Sequence, residues 1–225
     1  RADKNHPDAY KSIEDLPVTP IGCDSSASWA AKYKHLQMTK SVSEVINHIT
    51  SLLPNGTFQG RHGEDIHLVI TGGEPLLGWQ RVWPDLIDRL NKEYGLVNVT
   101  FETNGSKHCE DNMTEYFNGE GKDVHITWST SPKLSISGET REDTLMPEQL
   151  LTMNKVSNSF LYSKFVVRDM IDFDEVDEYV DAYKKAGINI WGVTVINEPH
   201  GNGNNWESTL FSPTEMTDFV QFHLG

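Results

Sequence analysis

From residue 67 to residue 196, short apolar runs alternate with longer stretches whose apolar side chains recur at helical spacing. That alternation restricts the chain to an α/β fold, because each helix must bury its apolar stripe against a sheet whose strands it connects. The runs at residues 67–70, 98–102, 124–128, 160–167 and 188–196 read as strands. Helices are expected over residues 41–53, 79–94, 113–117, 147–156, 173–186 and 213–224. Ser41 and Glu44 form a capping box ahead of Val45, Ile46 and Ile49, and Pro54-Asn55-Gly56 breaks that helix. Val82, Leu86, Ile87 and Leu90 supply the apolar face of the next helix, and Gly187 stops the one over 173–186. Strands joined by helices run parallel, so their C-terminal ends gather on one edge, where barrel enzymes place their chemistry. Glu74, Glu102, Ser131, Lys164 and Glu198 all fall at or near such ends. The pattern alone allows a doubly wound sheet as well as a barrel.

The first of these strands runs straight into Thr71-Gly72-Gly73-Glu74-Pro75. Glycine at a strand end reaches positive φ cheaply and lets backbone approach a ligand closely. The exposed N–H groups of such a turn hold a carboxylate, and Glu74 is placed to accept from an ammonium group. Both partners together suit the amino-acid end of a ligand such as S-adenosylmethionine. The plainer alternative is a strand-to-helix turn closed by Pro75.

Composition narrows the function classes. At 225 residues the chain builds a substantial core, and its net charge of −14 argues against a large nucleic-acid footprint. An acidic, solvated surface accounts for that charge. No apolar run approaches the length of a membrane span, so no membrane association is expected. Two cysteines make no disulfide framework, which points to a reducing cytoplasm. The nine histidines lack metal-site spacing, and His35 and His200 are the ones nearest an expected pocket. Trp79 and Trp83 read as packing residues of a helix face.

Upstream of the glycine turn lies Ile21-Gly22-Cys23-Asp24-Ser25-Ser26. Cys-Asp-Ser followed by Thr-Gly-Gly-Glu-Pro resembles the radical S-adenosylmethionine superfamily, and within it the 7-carboxy-7-deazaguanine synthase family of the queuosine pathway. The last cluster cysteine of that family lies in a Cys-Asp-Thr motif, matched here with Ser25 in place of threonine. Glu102-Thr103-Asn104-Gly105, Ser131-Pro132-Lys133 and Lys164-Phe165-Val166-Val167 follow in the family's order, so the resemblance runs from Cys23 to about Pro199.

The resemblance implies an open, partial (β/α) barrel of about six parallel strands with outer helices, one of them preceding the segment seen here. It implies Cys23 as a ligand of a [4Fe–4S] cluster and Ser25 as a ligand of Mg²⁺, with Asp24 ordering the loop. Thr71, Gly72, Gly73, Glu74, Glu102, Asn104 and Ser131 would hold S-adenosylmethionine. Lys164, Glu198 and His200 would face a pterin substrate, Lys164 pairing its carboxylate. In that family an electron from the cluster splits the sulfonium, and the resulting 5′-deoxyadenosyl radical takes a substrate hydrogen. The substrate 6-carboxy-5,6,7,8-tetrahydropterin then contracts to 7-carboxy-7-deazaguanine with loss of ammonia. The electron donor the family implies is a flavodoxin, and a homodimer is common among its members. No residue is singled out as an acid or base.

One departure matters. The family binds its cluster through three thiolates, and this chain has only Cys23 and Cys109, the latter far downstream in a polar segment. The sequence begins at Arg1, and no strand precedes Cys23. The expectation is therefore that the first strand and two further cysteines lie upstream. Residues 1–22 would then be an insertion before the last cluster cysteine, and residues 23–225 the barrel domain. Two rival functions stay open: a glycyl-radical activating enzyme acting on a partner protein, and a degenerate, non-catalytic S-adenosylmethionine-binding protein.

Overall fold

A computed structural model describes residues 11–12, 31–78, 80–167 and 171–191, with Ser212, Pro213, Thr214, Thr217 and Gln221 beyond them. The chain divides into two compact units, Arg1–Ile188 and Asn189–Gly225, and the sheet with its helices belongs to the first. After a 3-10 turn at Ala31–Leu36 come α1 (Val42–Leu52), β1 (Leu68–Ile70), a 3-10 turn at Gln80–Val82 and α2 (Trp83–Tyr94). There follow β2 (Asn98–Thr103), α3 (Asp111–Asn118), β3 (His125–Thr130), a 3-10 turn at Ser135–Ser137 and α4 (Arg141–Thr144). The unit continues with α5 (Pro147–Met153), β4 (Ser159–Ser163) and α6 (Ile171–Lys185).

Among the described residues the four strands form one sheet in the order β1-β2-β3-β4, and every pair is parallel. The α/β architecture with a parallel sheet is thus as expected from the alternation. Its register places Ile70 beside Phe101, Phe101 beside Trp128, and Trp128 beside Leu161. These side chains share one face with Val99 and Ile126, and that face is dry. It packs against Ile46 of α1, Leu86, Ile87 and Leu90 of α2, Met113 and Phe117 of α3, and Met153 of α5. Phe101 stacks on Trp128 at 5.1 Å between ring centroids and meets Trp83 edge-on at 6.3 Å.

The opposite face has a different character. By alternation it carries Val69, Thr100, Glu102, Thr127, Ser129, Phe160 and Tyr162. Val69, Phe160 and Tyr162 are exposed there although apolar, and Glu102 is half-exposed. A parallel sheet dry on both faces would carry near-continuous apolar strands. These strands instead alternate, as in Asn98-Val99-Thr100-Phe101-Glu102-Thr103, whose even-numbered residues are polar. One face is built for helices and the other for something polar.

Helix ends follow local chemistry. Ser41 caps α1: its hydroxyl accepts from the Glu44 N–H, and the Glu44 carboxylate accepts from the Ser41 N–H at 2.8 Å, the capping box the sequence predicts. The helix expected from residue 79 opens as a 3-10 turn and becomes α-helical only at Trp83, because Pro84 brings no N–H and fits the first helical turn. Gly95 and Gly187, at φ 74° and 86°, follow α2 and α6 in the left-handed region.

The strand expected over 160–167 is four residues shorter at its C-terminal end. Its ladder partner β3 stops at Thr130 ahead of Pro132, so among the described residues Phe165, Val166 and Val167 have no strand beside them. Phe165 meets the Tyr179 ring of α6 edge-on at 5.5 Å instead. The fifth strand is corrected in part: Ile188, Asn189 and Ile190 are not in a strand, and residues 192–196 lie outside the described residues. Most of the helix expected over 213–224 lies outside them too.

Candidate active site

The sheet gathers four chain segments on its C-terminal edge. Because β1 ends at Ile70, β2 at Thr103, β3 at Thr130 and β4 at Ser163, the residues that follow are Thr71, Asn104, Ser131 and Lys164. Two backbone bonds extend the ladder past the strands: the Ser131 N–H donates to the Thr103 carbonyl and the Lys164 N–H to that of Thr130, both at 2.7 Å. The departure points of three loops are therefore fixed relative to one another. Four of the residues singled out in sequence stand on this edge for that reason.

The glycine turn after β1 is exposed, with Gly72 at φ 85° and Gly73 at φ 59°. A Cβ at Gly72 would meet no atom within 4 Å, so it is the backbone angle and not crowding that calls for glycine. Exposed backbone N–H groups of a turn can hold an anion. That open, amide-lined turn fits the carboxylate of an amino-acid ligand.

Glu74 does more than the sequence suggested. Its Oε1 accepts from the Thr103 hydroxyl at 2.6 Å and from the Leu76 N–H at 3.0 Å, while its Oε2 accepts from the Asn104 N–H at 2.8 Å. The carboxylate clamps the turn after β1 to the end of β2. A carboxylate has about four acceptor positions, so roughly one remains for a ligand's ammonium group. Thr103, missed in sequence, is the buried partner of that clamp and also accepts from the Gly105 N–H at 3.1 Å.

Asn104 is held by a turn of its own: its Oδ1 accepts from the Ser106 N–H at 2.9 Å, with Gly105 at φ 75°. A Cβ on Gly105 would lie 3.3 Å from Leu150. Gln80, also missed in sequence, is 1 % exposed. Its amide donates to the carbonyls of Leu76 and His108 at 2.7 and 2.8 Å, and its Oε1 accepts from the Glu110 N–H at 2.9 Å. It fastens the segment behind the glycine turn to the loop that leaves β2. Trp83 packs as expected and in addition donates from its indole N–H to the Pro75 carbonyl at 2.9 Å.

On the polar face, Glu102 and Lys164 form an ion pair at 3.3 Å, both side chains about two-fifths exposed. The pair spans β3, because Glu102 is on β2 and Lys164 follows β4. Ser129 lies in register with both Glu102 and Tyr162, on the same face and fully buried. Among the described residues its hydroxyl has no hydrogen-bond partner. A buried hydroxyl left unpaired costs about 1–3 kcal/mol.

Cys23, Asp24, Ser25, Glu198 and His200 lie outside the described residues, and His35 is exposed on the 3-10 turn at Ala31–Leu36. Among the described residues no three His, Cys, Asp or Glu side chains group as a metal site. Cys109 is buried, and that burial pushes its thiol up to about 11 from 9.0, more than the Thr114 hydroxyl lowers it. Because the folded value is raised, this thiol's contribution to stability is full below about pH 9 and is lost as pH rises through about 11. In a Cys23→Ser protein, Cys109 is expected to resist an aromatic disulfide reagent until the chain unfolds. Rapid reaction in the native protein would contradict its burial.

No protein-family model, curated protein or solved structure matches the chain.

Proposed function

We propose that this chain acts as a radical S-adenosylmethionine enzyme that converts 6-carboxy-5,6,7,8-tetrahydropterin to 7-carboxy-7-deazaguanine and ammonia. The observation that carries the proposal is the C-terminal edge of the sheet. An exposed glycine turn and a carboxylate follow β1, an asparagine turn follows β2 and a lysine follows β4, beside a polar sheet face. We take that face to be the inner wall of an open, partial (β/α) barrel of about six strands, consistent with helices packing on the other side alone among the core contacts.

In this proposal the N–H groups of Gly72 and Gly73 receive the cofactor's carboxylate, and the remaining acceptor position of Glu74 takes its ammonium group. Asn104 and Ser131 orient the nucleoside end, and Glu102 stands between cofactor and pterin, able to accept from either. Lys164 receives the carboxylate of the pterin, exchanging its half-exposed partner Glu102 for the substrate. Glu198 and His200 complete the substrate side. Cys23 would be one cluster ligand, and Ser25 would contribute a hydroxyl oxygen to Mg²⁺. When bound, the cluster and S-adenosylmethionine supply the one-electron chemistry that starts the reaction. The protein's share is to position the reacting hydrogen and to exclude water. A reducing electron donor such as a flavodoxin, a cytoplasmic setting and a homodimer belong to the same proposal. No helix among the described residues is long and apolar enough to cross a membrane.

Protein of native length, purified without oxygen, is expected to be brown and to hold roughly four irons per chain. Once reduced, it should cleave S-adenosylmethionine to 5′-deoxyadenosine and methionine. A colourless protein that takes up no cluster from iron and sulfide, and leaves S-adenosylmethionine intact, would overturn the proposal.

A further inference from the structure

We infer that Ser129 is a substrate-contacting residue whose hydroxyl pairs with the heterocycle of the bound pterin; this rests on the function proposed above. Three observations converge on it. Its hydroxyl is buried and has no hydrogen-bond partner among the described residues, although polar groups enclosed in protein are almost always paired. It lies on the polar face of the sheet, in register with Glu102 on one side and Tyr162 on the other. Finally, the ion pair between Glu102 and Lys164 spans the strand that carries Ser129.

That ion pair is the kind that opens easily. Both partners are about two-fifths exposed and 3.3 Å apart, and exposed pairs of this sort contribute little. A ligand carboxylate offered to Lys164 replaces Glu102 at no net loss of charge pairing. Glu102 is then free to accept from an N–H edge, and no ion pair spans the strand that carries Ser129. Phe160 and Tyr162 stand on the same face of β4 with ring centroids 6.1 Å apart, an aromatic wall for a planar ring. A carboxylate acceptor, an ammonium group, a hydroxyl and an aromatic wall match a flat, hydrogen-bonding heterocycle that bears a carboxylate. Ser129 satisfies its own unmet hydrogen bond only when such a ligand is in place.

The test separates this role from a structural one, because it measures apo stability and ligand affinity on the same variant. The probe is 6-carboxypterin, titrated by its own fluorescence into cluster-loaded protein of native length with S-adenosylmethionine present. Ser129→Ala should leave the melting temperature of the ligand-free protein unchanged or raise it, since the methyl group removes an unpaired buried hydroxyl. The dissociation constant for the probe should rise about three- to tenfold, the worth of one neutral hydrogen bond, while affinity for S-adenosylmethionine stays the same. An unchanged dissociation constant for the probe would overturn the assignment. So would a fall in ligand-free melting temperature, which would give the hydroxyl a structural job. If the parent protein binds S-adenosylmethionine but not the pterin, the substrate proposed above is wrong and Ser129 falls with it. Normal pterin binding by both proteins overturns Ser129 alone.

Discussion

Glu74→Ala is expected to abolish S-adenosylmethionine binding in practical terms and to destabilise the fold at the same time. The wild-type carboxylate accepts three hydrogen bonds, from the Thr103 hydroxyl and the backbone N–H groups of Leu76 and Asn104. Bonds to a charged acceptor contribute about 1.5–3 kcal/mol each, and the half-exposed position lowers that, so a total near 3 kcal/mol is reasonable. The same change removes the ligand's ammonium partner and releases the glycine turn from β2. Loss of that charged contact together with the ordered turn should raise the dissociation constant about a hundredfold or more. Glu74→Gln separates the two effects. It keeps one carbonyl acceptor for Thr103 and Leu76, but turns an NH₂ group toward the Asn104 N–H. Its fold should survive with a smaller loss of melting temperature, while affinity for the cofactor still falls steeply. Isothermal titration with S-adenosylmethionine, beside a thermal melt, reads both quantities. Glu74→Ala protein with parental melting temperature and affinity would remove the clamp from the account.

Phe101→Ala should have the largest effect on stability, about 3–5 kcal/mol. The ring is wholly buried at the centre of the sheet's dry face, stacked on Trp128 and edge-on to Trp83. Its deletion leaves a cavity that β2 and α2 cannot close, because both are pinned by their ladders and by Leu86, Ile87 and Leu90. For a unit of this size the melting temperature should drop by roughly 10 °C or more. Phe101→Leu refills most of the volume and should cost well under half as much. The two variants also bear on the site. Phe101 and Glu102 are neighbours on opposite faces, so a shifted β2 moves Glu102 and Asn104 together. Denaturant titration of both variants decides it, and a loss below about 1 kcal/mol for Phe101→Ala would contradict the packing.

The fold was legible in the sequence wherever periodicity and packing agreed. Val99 and Phe101 alternate with Thr100 and Glu102, and the strand they describe has that burial pattern. Ser41 and Glu44 announce a helix end through local bonds alone, which need no tertiary context. The sequence misleads where an element depends on a distant partner. Phe165-Val166-Val167 has strand composition, yet pairing requires a neighbour, and among the described residues β3 has already ended. The short α4 and the 3-10 turn at Ser135–Ser137 carry too few apolar residues to show a period.

The site follows the same division. Gly72 and Gly73 were readable because positive φ leaves a mark in composition. The clamp from Glu74 to Thr103 and Asn104 was not, since it joins residues 29 and 30 positions apart through side-chain geometry. Gln80 had one available signal: it occupies the helical face that continues through Trp83, Ile87 and Leu90, where a polar side chain has to be paired. Ser129 had a comparable one. Next to buried Trp128, strict alternation assigns it to the opposite face with Glu102. Neither signal reports a partner, and for Ser129 the structure reports none among the described residues.

The measurement that most directly tests the central claim is product formation by protein of native length, reconstituted without oxygen with iron and sulfide. Reductant, S-adenosylmethionine, Mg²⁺ and 6-carboxytetrahydropterin are supplied, and the mixture is followed by mass spectrometry. The account predicts 7-carboxy-7-deazaguanine and an equal amount of ammonia, in excess over any 5′-deoxyadenosine, because the cofactor is regenerated in each turnover. A protein that carries its cluster and yields neither 7-carboxy-7-deazaguanine nor 5′-deoxyadenosine would contradict it.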